Sequence, residues 1–490
     1  MDNNLFNIKN GRNLTMLVDF YELTMGNGYL ESDLSDTIAY FDMFFRRIPD
    51  GGGYCIMSGV EQLIEYLSNL KFTDEDIDYL KSKNYFSDKF LEYLRNFKFQ
   101  CDVWAIPEGN PVFPGEPLVT VRGPIMQAQF VETMILLTIN HQTLIATKAN
   151  RICRAADGRP VMEFGSRRAQ GYDGAIYGAR SAIIGGCTST ACTIAEQMFN
   201  VPASGTMAHS WVQLFPTEFE AFKTWAETYP NNCVLLVDTY NVLKSGIPNA
   251  IKVFDEILTP MGVKPKGIRI DSGDITYLTK KCRTLLDEAG YPDVKIIVSN
   301  SLDEHIITHV LSQGAKIDSF GVGERLITAK SEPVFGGVYK LVAIEHKGKI
   351  IAKIKISENE EKITNPGFKK IYRLFDKTTD KAIADLICLN SETIDNSKPL
   401  EIFDPVFTWK KKKLNNYYAK ELMVKIFDKG IPCYESPSVK EIQEYAKSET
   451  NKLWEEVLRF ENPHNYYVDL SNQLWDLKHD LLNKYASLYE

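Results

Sequence analysis

Between residues 161 and 321 the chain alternates short apolar runs with stretches of helical period. The runs cover 161–164, 203–207, 233–237, 267–270, 294–298 and 317–321. Apolar positions at helical spacing predict helices over 218–229, 249–261, 275–290 and 302–314. Runs apolar on both faces, separated by amphipathic helices, predict βα units on a parallel sheet. There is no GxGxxG turn, and polar residues follow nearly every run. That favours a closed or nearly closed, TIM-like α/β barrel over an open sheet.

The flanking segments carry a different pattern. A helix is expected at 14–28, a strand at 37–48, a helix from about Gly59, helical spacing on to Phe97, and strands at 102–106 and 117–122. A long apolar-periodic stretch, 125–156, then leads into the barrel segment. After Gly336 the chain turns β-rich, with strands expected at 338–345, 349–356, 370–375 and 421–428, and helices at 438–460 and 470–489. This divides the chain into a mixed α+β N-terminal domain (1–125), an α/β barrel (126–336), and a β-rich and helical C-terminal portion (337–490).

Composition narrows the function. A net charge of −8 with interspersed signs argues against a nucleic-acid or anionic-membrane partner, whose footprint would be a basic stripe. No apolar run nears the roughly 20 residues of a spanning helix, and the first residues lack a signal-peptide core, so a cytoplasmic location is expected. The nine cysteines form no CxxC pair, which fits reduced thiols and not a structural zinc site. Cys187 and Cys192 sit among small apolar residues and read as packed thiols rather than nucleophiles.

Candidate chemistry gathers where the strands end: EFGSRR, GTMAHSW, VDTYN, RIDSGD, VSNSL and GVGER. In an α/β barrel the C-terminal strand ends share one mouth, so these polar groups meet. Paired arginines, a small-residue helix and one presented histidine suit an anionic, phosphorylated substrate. Each feature has an ordinary reading alone. An isolated histidine is usually a hydrogen-bonding residue, two arginines are usually a solvated corner, and Asp271 or Ser272 reads equally as a helix cap. Six such ends in one series outweigh those readings.

The motifs TMLVDFYELTMGNGY, FGSRRAQG, GTMAHSW, RIDSGD, FGVGERLIT, KITNPGFKKIYR and NPHNYYVDLS, in that order, closely resemble the nicotinate phosphoribosyltransferases, kin to the nicotinamide enzymes and more distantly to the quinolinate enzymes. The resemblance implies an irregular α/β barrel beside a mixed N-terminal domain on which the C-terminal portion packs. It implies transfer of a phosphoribosyl group from 5-phosphoribosyl 1-diphosphate to nicotinate, with ATP as co-substrate, Mg²⁺ on the diphosphate, and a homodimer whose sites lie between subunits. It implies that His209 is phosphorylated by ATP and that Asp238 fixes its tautomer. Phe164 and, from the neighbouring subunit, Tyr21 would sandwich the pyridine ring. Arg167 and Arg269 would meet the carboxylate and diphosphate through paired hydrogen bonds, and Thr206 would contact nicotinate. Asp271, with Gly273 in the same DSGD turn, would lie at the ribose, where Asp271 also suits Mg²⁺. Asn300 and the amides of Gly321, Gly323 and Glu324 would cradle the 5′-phosphate. Two positions depart from relatives. Glu324 stands where many members carry threonine, so its amide and not its carboxylate is expected to face phosphate. Ser189 replaces the aspartate of the amide-using enzymes, which favours nicotinate over nicotinamide. The alternatives are a nicotinamide enzyme and a non-catalytic nucleotide-binding regulator. A Schiff-base aldolase would need a strand-end lysine that the sequence lacks.

Overall fold

The computed structural model describes residues 12–486 and shows a mixed α/β fold. The chain forms two compact units. One gathers the described residues up to Leu144 with those from Val334 onward, and the other is Ile145–Pro333. The first dividing line of the sequence reading, near residue 125, precedes two helices, Ile125–Phe130 and Glu132–Ala155, where one long helix was expected. Val131, with φ −94° and ψ 2°, ends the first of them.

The first unit is built on a seven-stranded antiparallel sheet. Its order is Lys349–Ala352, Val338–His346, Ile38–Phe44, Val119–Pro124, Asp102–Ala105, Val424–Asp428 and Ile431–Pro432. A strand from beyond residue 336 thus pairs directly with one from before residue 50. A second sheet carries Tyr417–Glu421, Lys369–Asp376, Ala382–Leu389 and Val468–Leu470. Of the stretch expected as a strand at 421–428, Val424–Asp428 forms one in the first sheet, while Glu421 ends the preceding strand in the second. The first helix is Phe20–Glu31, six residues later than its apolar pattern suggests, entered from Asp19 in an extended conformation.

The second unit holds six parallel strands in the order Ser189–Thr190, Val161–Glu163, Ser319–Val322, Lys295–Asn300, Gly267–Ile270 and Val234–Leu236. That is the order of a ring cut once. The cut falls between Thr190, whose other neighbour is a single bridge to Ala203, and Val234–Leu236. Among the described residues the ladder does not close, so the closed barrel is not realised in the hydrogen bonding. The strand expected at 203–207 shrinks to that one bridge because Pro202 has no N–H and Gly205 disfavours extended pairing. Val, Ile, Leu and Phe side chains of the strands and of the helices Glu218–Thr228, Ile247–Val253 and Ile275–Glu288 fill one buried core. Gly246 lets the 247–253 helix press against the strand end, since a Cβ there would stand 1.9 Å from the Val237 carbonyl oxygen. That contact positions the chain one residue before Asp238.

Candidate active site

A cleft of about 640 Å³ opens at the C-terminal ends of these strands, within the usual range for small-molecule sites. Phe164, Arg167, Thr206, His209, Arg269, Asp271, Asn300, Gly321, Gly323 and Glu324 all line it. Residues spread over some 160 positions meet because most lie on or just after the C-terminal ends of parallel strands that point the same way.

Arg269 organises the centre. Its Nε–H donates to Ser299 Oγ at 2.8 Å, Nη1 to Thr206 Oγ1 at 2.8 Å and the Met207 carbonyl at 3.3 Å, and Nη2 to Asp271 Oδ1 at 3.0 Å. Four of the five N–H bonds of the guanidinium are thus spent on the protein. The paired grip on an oxyanion expected of Arg269 has one N–H left to serve it. The cation instead lies 5.9 Å from the centroid of the Phe164 ring, within cation–π range. Arg167 and Arg168, on the single 3-10 turn Ser166–Arg168, are exposed at the cleft, and their guanidinium groups make no hydrogen bond or ion pair among the described residues. They are the donors free to take an anion.

His209 begins the short helix His209–Leu214. Trp211 pins that helix by donating to the Ala221 carbonyl at 3.1 Å, and Val212 enters the core. The imidazole Nδ1 lies 3.2 Å from Thr239 Oγ1, while Nε2 is 4.0 Å from Asp238 Oδ1 and 3.9 Å from Asp271 Oδ2. Asp238 therefore does not make the hydrogen bond foreseen for it. Its Oδ2 is occupied by Ser272 Oγ at 2.6 Å and the Asp271 amide at 3.1 Å, which pin the DSGD turn. Its Oδ1 is buried without a hydrogen-bond partner. Burial raises the Asp271 carboxyl, but the Ser299 hydroxyl, Arg269 and His209 outweigh it and hold the group below the ordinary carboxylate range.

Other expectations shift. Ser189 is buried and does not line the cleft; its hydroxyl lies 2.7 Å from that of Ser204, which does. Gly273 also stays out of the cleft. It turns the chain at φ +86° so that Asp274, and not Asp271 or Ser272, caps the helix Ile275–Glu288 through the Tyr277 amide. Glu324 directs its carboxylate to Lys330 Nζ at 2.6 Å, and that cation lowers its pKa. Tyr21 belongs to the first unit, on the helix Phe20–Glu31, with its side chain partly exposed.

Four residues escaped the sequence reading. Ser299 and Thr239 each sit next to a residue singled out by motif, Asn300 and Asp238, and strand register gave the only clue to them. Ser204 lies in the hydroxyl-rich turn. Glu163 is wholly buried behind Phe164, where it accepts from the Gly165 amide and, at 2.6 Å, from Thr190 Oγ1. Burial pushes its carboxyl up against those two hydrogen bonds. Among the described residues no three acidic, histidine or cysteine side chains form a metal cluster. The Asp271 carboxylate lines the cleft, where it suits a magnesium ion that takes its other ligands from phosphate and water, while Asp238 Oδ1 is buried and does not reach the cleft surface. No helix of the described residues is long and apolar enough to cross a membrane.

Comparison with known proteins agrees along the whole chain. Models of the nicotinate phosphoribosyltransferase N-terminal domain, of the nicotinate phosphoribosyltransferase family and of its C-terminal domain match residues 16–140, 160–382 and 368–478. A nicotinate phosphoribosyltransferase of Bacillus subtilis is 45% identical over 477 residues, 97% of each chain. The crystal structure of human nicotinic acid phosphoribosyltransferase superposes with a TM-score of 0.83 at 27% identity, covering 95% of this chain and 100% of that one. A nicotinate-nucleotide pyrophosphorylase from Pyrococcus furiosus shares the fold, with a TM-score of 0.67 at 23% identity over 89% of this chain and 95% of its own.

Proposed function

The chain belongs to the nicotinate phosphoribosyltransferase family, and from that premise we propose that it converts nicotinate and 5-phosphoribosyl 1-diphosphate to nicotinate mononucleotide and diphosphate, a step of NAD salvage, coupled to hydrolysis of ATP to ADP and phosphate. The observation that carries the reading is His209 Nε2 in the cleft that Phe164 lines, flanked by Asp238 and Asp271 at 4.0 and 3.9 Å.

Each residue has work that its position allows. With Nδ1–H donated to Thr239, neutral His209 keeps the Nε2 lone pair for attack. The N–P bond forms as the bond from the γ-phosphorus of ATP to the departing ADP oxygen breaks, and water later takes the phosphoryl group. The two carboxylates beside Nε2 favour the cationic ring that attack creates. In phosphoribosyl transfer the pyridine nitrogen bonds to the anomeric carbon while diphosphate leaves with the electron pair. Phe164 supports one face of the ring, and the partner's Tyr21 covers the other; offset stacking contributes about 0.5–1.5 kcal/mol beyond burial. Arg167 and Arg168 hold phosphate oxygens in forked pairs, Asp271 meets the ribose, and Asn300 with the Gly321–Glu324 turn takes the 5′-phosphate. Magnesium, held by Asp271 with the substrate phosphates, would neutralise the charge of the leaving diphosphate.

Ser204 puts a neutral hydroxyl in the cleft, backed by the buried Ser189 hydroxyl and not by a carboxylate that would repel the acid, which supports nicotinate over nicotinamide. Turnover of the acid and the amide, each with and without ATP, tests the reading. The acid is expected to react faster and ATP to accelerate it. Acid-labile label from γ-labelled ATP should appear on the wild type and not on His209→Ala. Preference for the amide, or equal labelling of the variant, overturns the assignment.

A further inference from the structure

Ser299 lies on the strand Lys295–Asn300 beside Gly267–Ile270, with Val298 opposite Ile270. It is buried, and its one hydroxyl makes two bonds of opposite sense: the oxygen accepts Arg269 Nε–H at 2.8 Å, and its proton goes to Asp271 Oδ1. Arg269 Nη2 reaches that same Oδ1 at 3.0 Å. One hydroxyl therefore closes a small ring of hydrogen bonds between the cation and the carboxylate. The ring has a fixed direction, because a guanidinium can only donate and a carboxylate can only accept.

We propose that Ser299 is a positioning residue for the transfer reaction, locking Arg269 and Asp271 into the one arrangement that serves it. The inference rests on the functional reading given above. Arg269 and Asp271 alone share a single contact through Nη2, about which the carboxylate is free to turn. Its other oxygen already stands 3.9 Å from His209 Nε2, so an untethered Asp271 swings toward the histidine and away from the ribose. Removing the hydroxyl also leaves the Arg269 Nε–H without its acceptor. Phe164 keeps its packing on Gly321, and Arg269 keeps its Nη1 bonds to Thr206 and the Met207 carbonyl. The loss therefore falls on the chemical step, where small misplacements cost most.

In Ser299→Ala, kcat is expected to fall about 100-fold, with KM for nicotinate held within about threefold. Ser299→Thr keeps the hydroxyl and should recover most of kcat. Ser299→Cys, close in size but a weak hydrogen-bonding group, should repeat the alanine loss; it carries the test if the alanine variant does not fold. The Arg269 Nε–H resonance gives a readout free of catalysis. It should exchange slowly with solvent in the wild type and in Ser299→Thr, and lose that protection in Ser299→Ala. Wild-type kcat in the alanine or cysteine variant, failure of threonine to restore it, or retained Nε–H protection overturns the proposal. If the wild type itself does not turn over nicotinate, the functional reading falls, and the resonance alone decides the role of Ser299.

Discussion

A Cβ built on Gly321 would stand 2.6 Å from Phe164 Cδ2 and 2.7 Å from Cε2, too close for any real contact. The phenyl ring fills the space that glycine leaves open, on the neighbouring parallel strand. Gly321→Ala must therefore push the ring out of place; the expected cost is about 1–3 kcal/mol of stability and a raised KM for nicotinate. An unchanged KM, read alongside the unfolding midpoint, would remove Phe164 from the ring site. This also marks how far residue-level reading reaches. The motif GVGER drew attention to Gly321 for its amide, whereas its missing side chain proved equally decisive, and only packing reveals that. Likewise VLLVD announces a strand-end carboxylate, but nothing in the sequence says that Asp238 will be taken up by Ser272 and that Thr239 will reach His209 instead.

At the scale of elements, the Phe164 loop is held by Glu163, whose two oxygens accept from the Gly165 amide and the Thr190 hydroxyl and so join the 161–163 and 189–190 strands. Glu163→Ala removes both acceptors and leaves the Gly165 amide and the Thr190 hydroxyl without them. The expected penalty is about 1–3 kcal/mol, with a parallel fall in kcat/KM as the loop loosens; denaturant unfolding and steady-state kinetics check both. An unshifted midpoint would mean that the tether is dispensable. Strands such as Val234–Leu236 were legible because they are continuous apolar runs between clear helical periods. Ser189–Thr190 and Ala382–Leu389 were not, for opposite reasons. The first is two polar residues long and exists through pairing alone. The second is apolar but interrupted by Asp385, which its fully buried partner Arg373 neutralises from the adjacent strand. Five of the six parallel strands follow the order of the runs, but whether the ladder closes depends on backbone pairing around Ala203.

Over the whole molecule, the helix Phe20–Glu31 ties stability to pH. Glu22 is buried, with Oε1 accepting from Thr133 Oγ1 at 2.5 Å and Oε2 without a partner, and burial pushes its pKa up to about 8. A carboxyl raised in the fold favours the protonated form. Its contribution is complete below its ordinary pKa and is lost as pH rises to about 8. Unfolding free energy should fall by a few kcal/mol between about pH 5 and about pH 9, and Glu22→Gln should flatten that slope; a wild-type slope in the variant would clear Glu22. Tyr21, one residue earlier, poses the larger question, because it belongs to one compact unit and His209 to the other. If the partner's Tyr21 completes each site, Tyr21→Ala and His209→Ala damage different chains of the same site. In a mixed dimer one site then keeps both wild-type residues, and the other loses both. Random reassortment of equal amounts makes half of the dimers mixed, so about a quarter of all sites should be competent. Activity regained on mixing and reassembling two impaired variants, growing with the mixed-dimer fraction, is the expected result. Activity that stays at the mean of the two separate variants would place Tyr21 and His209 of any one site in the same chain.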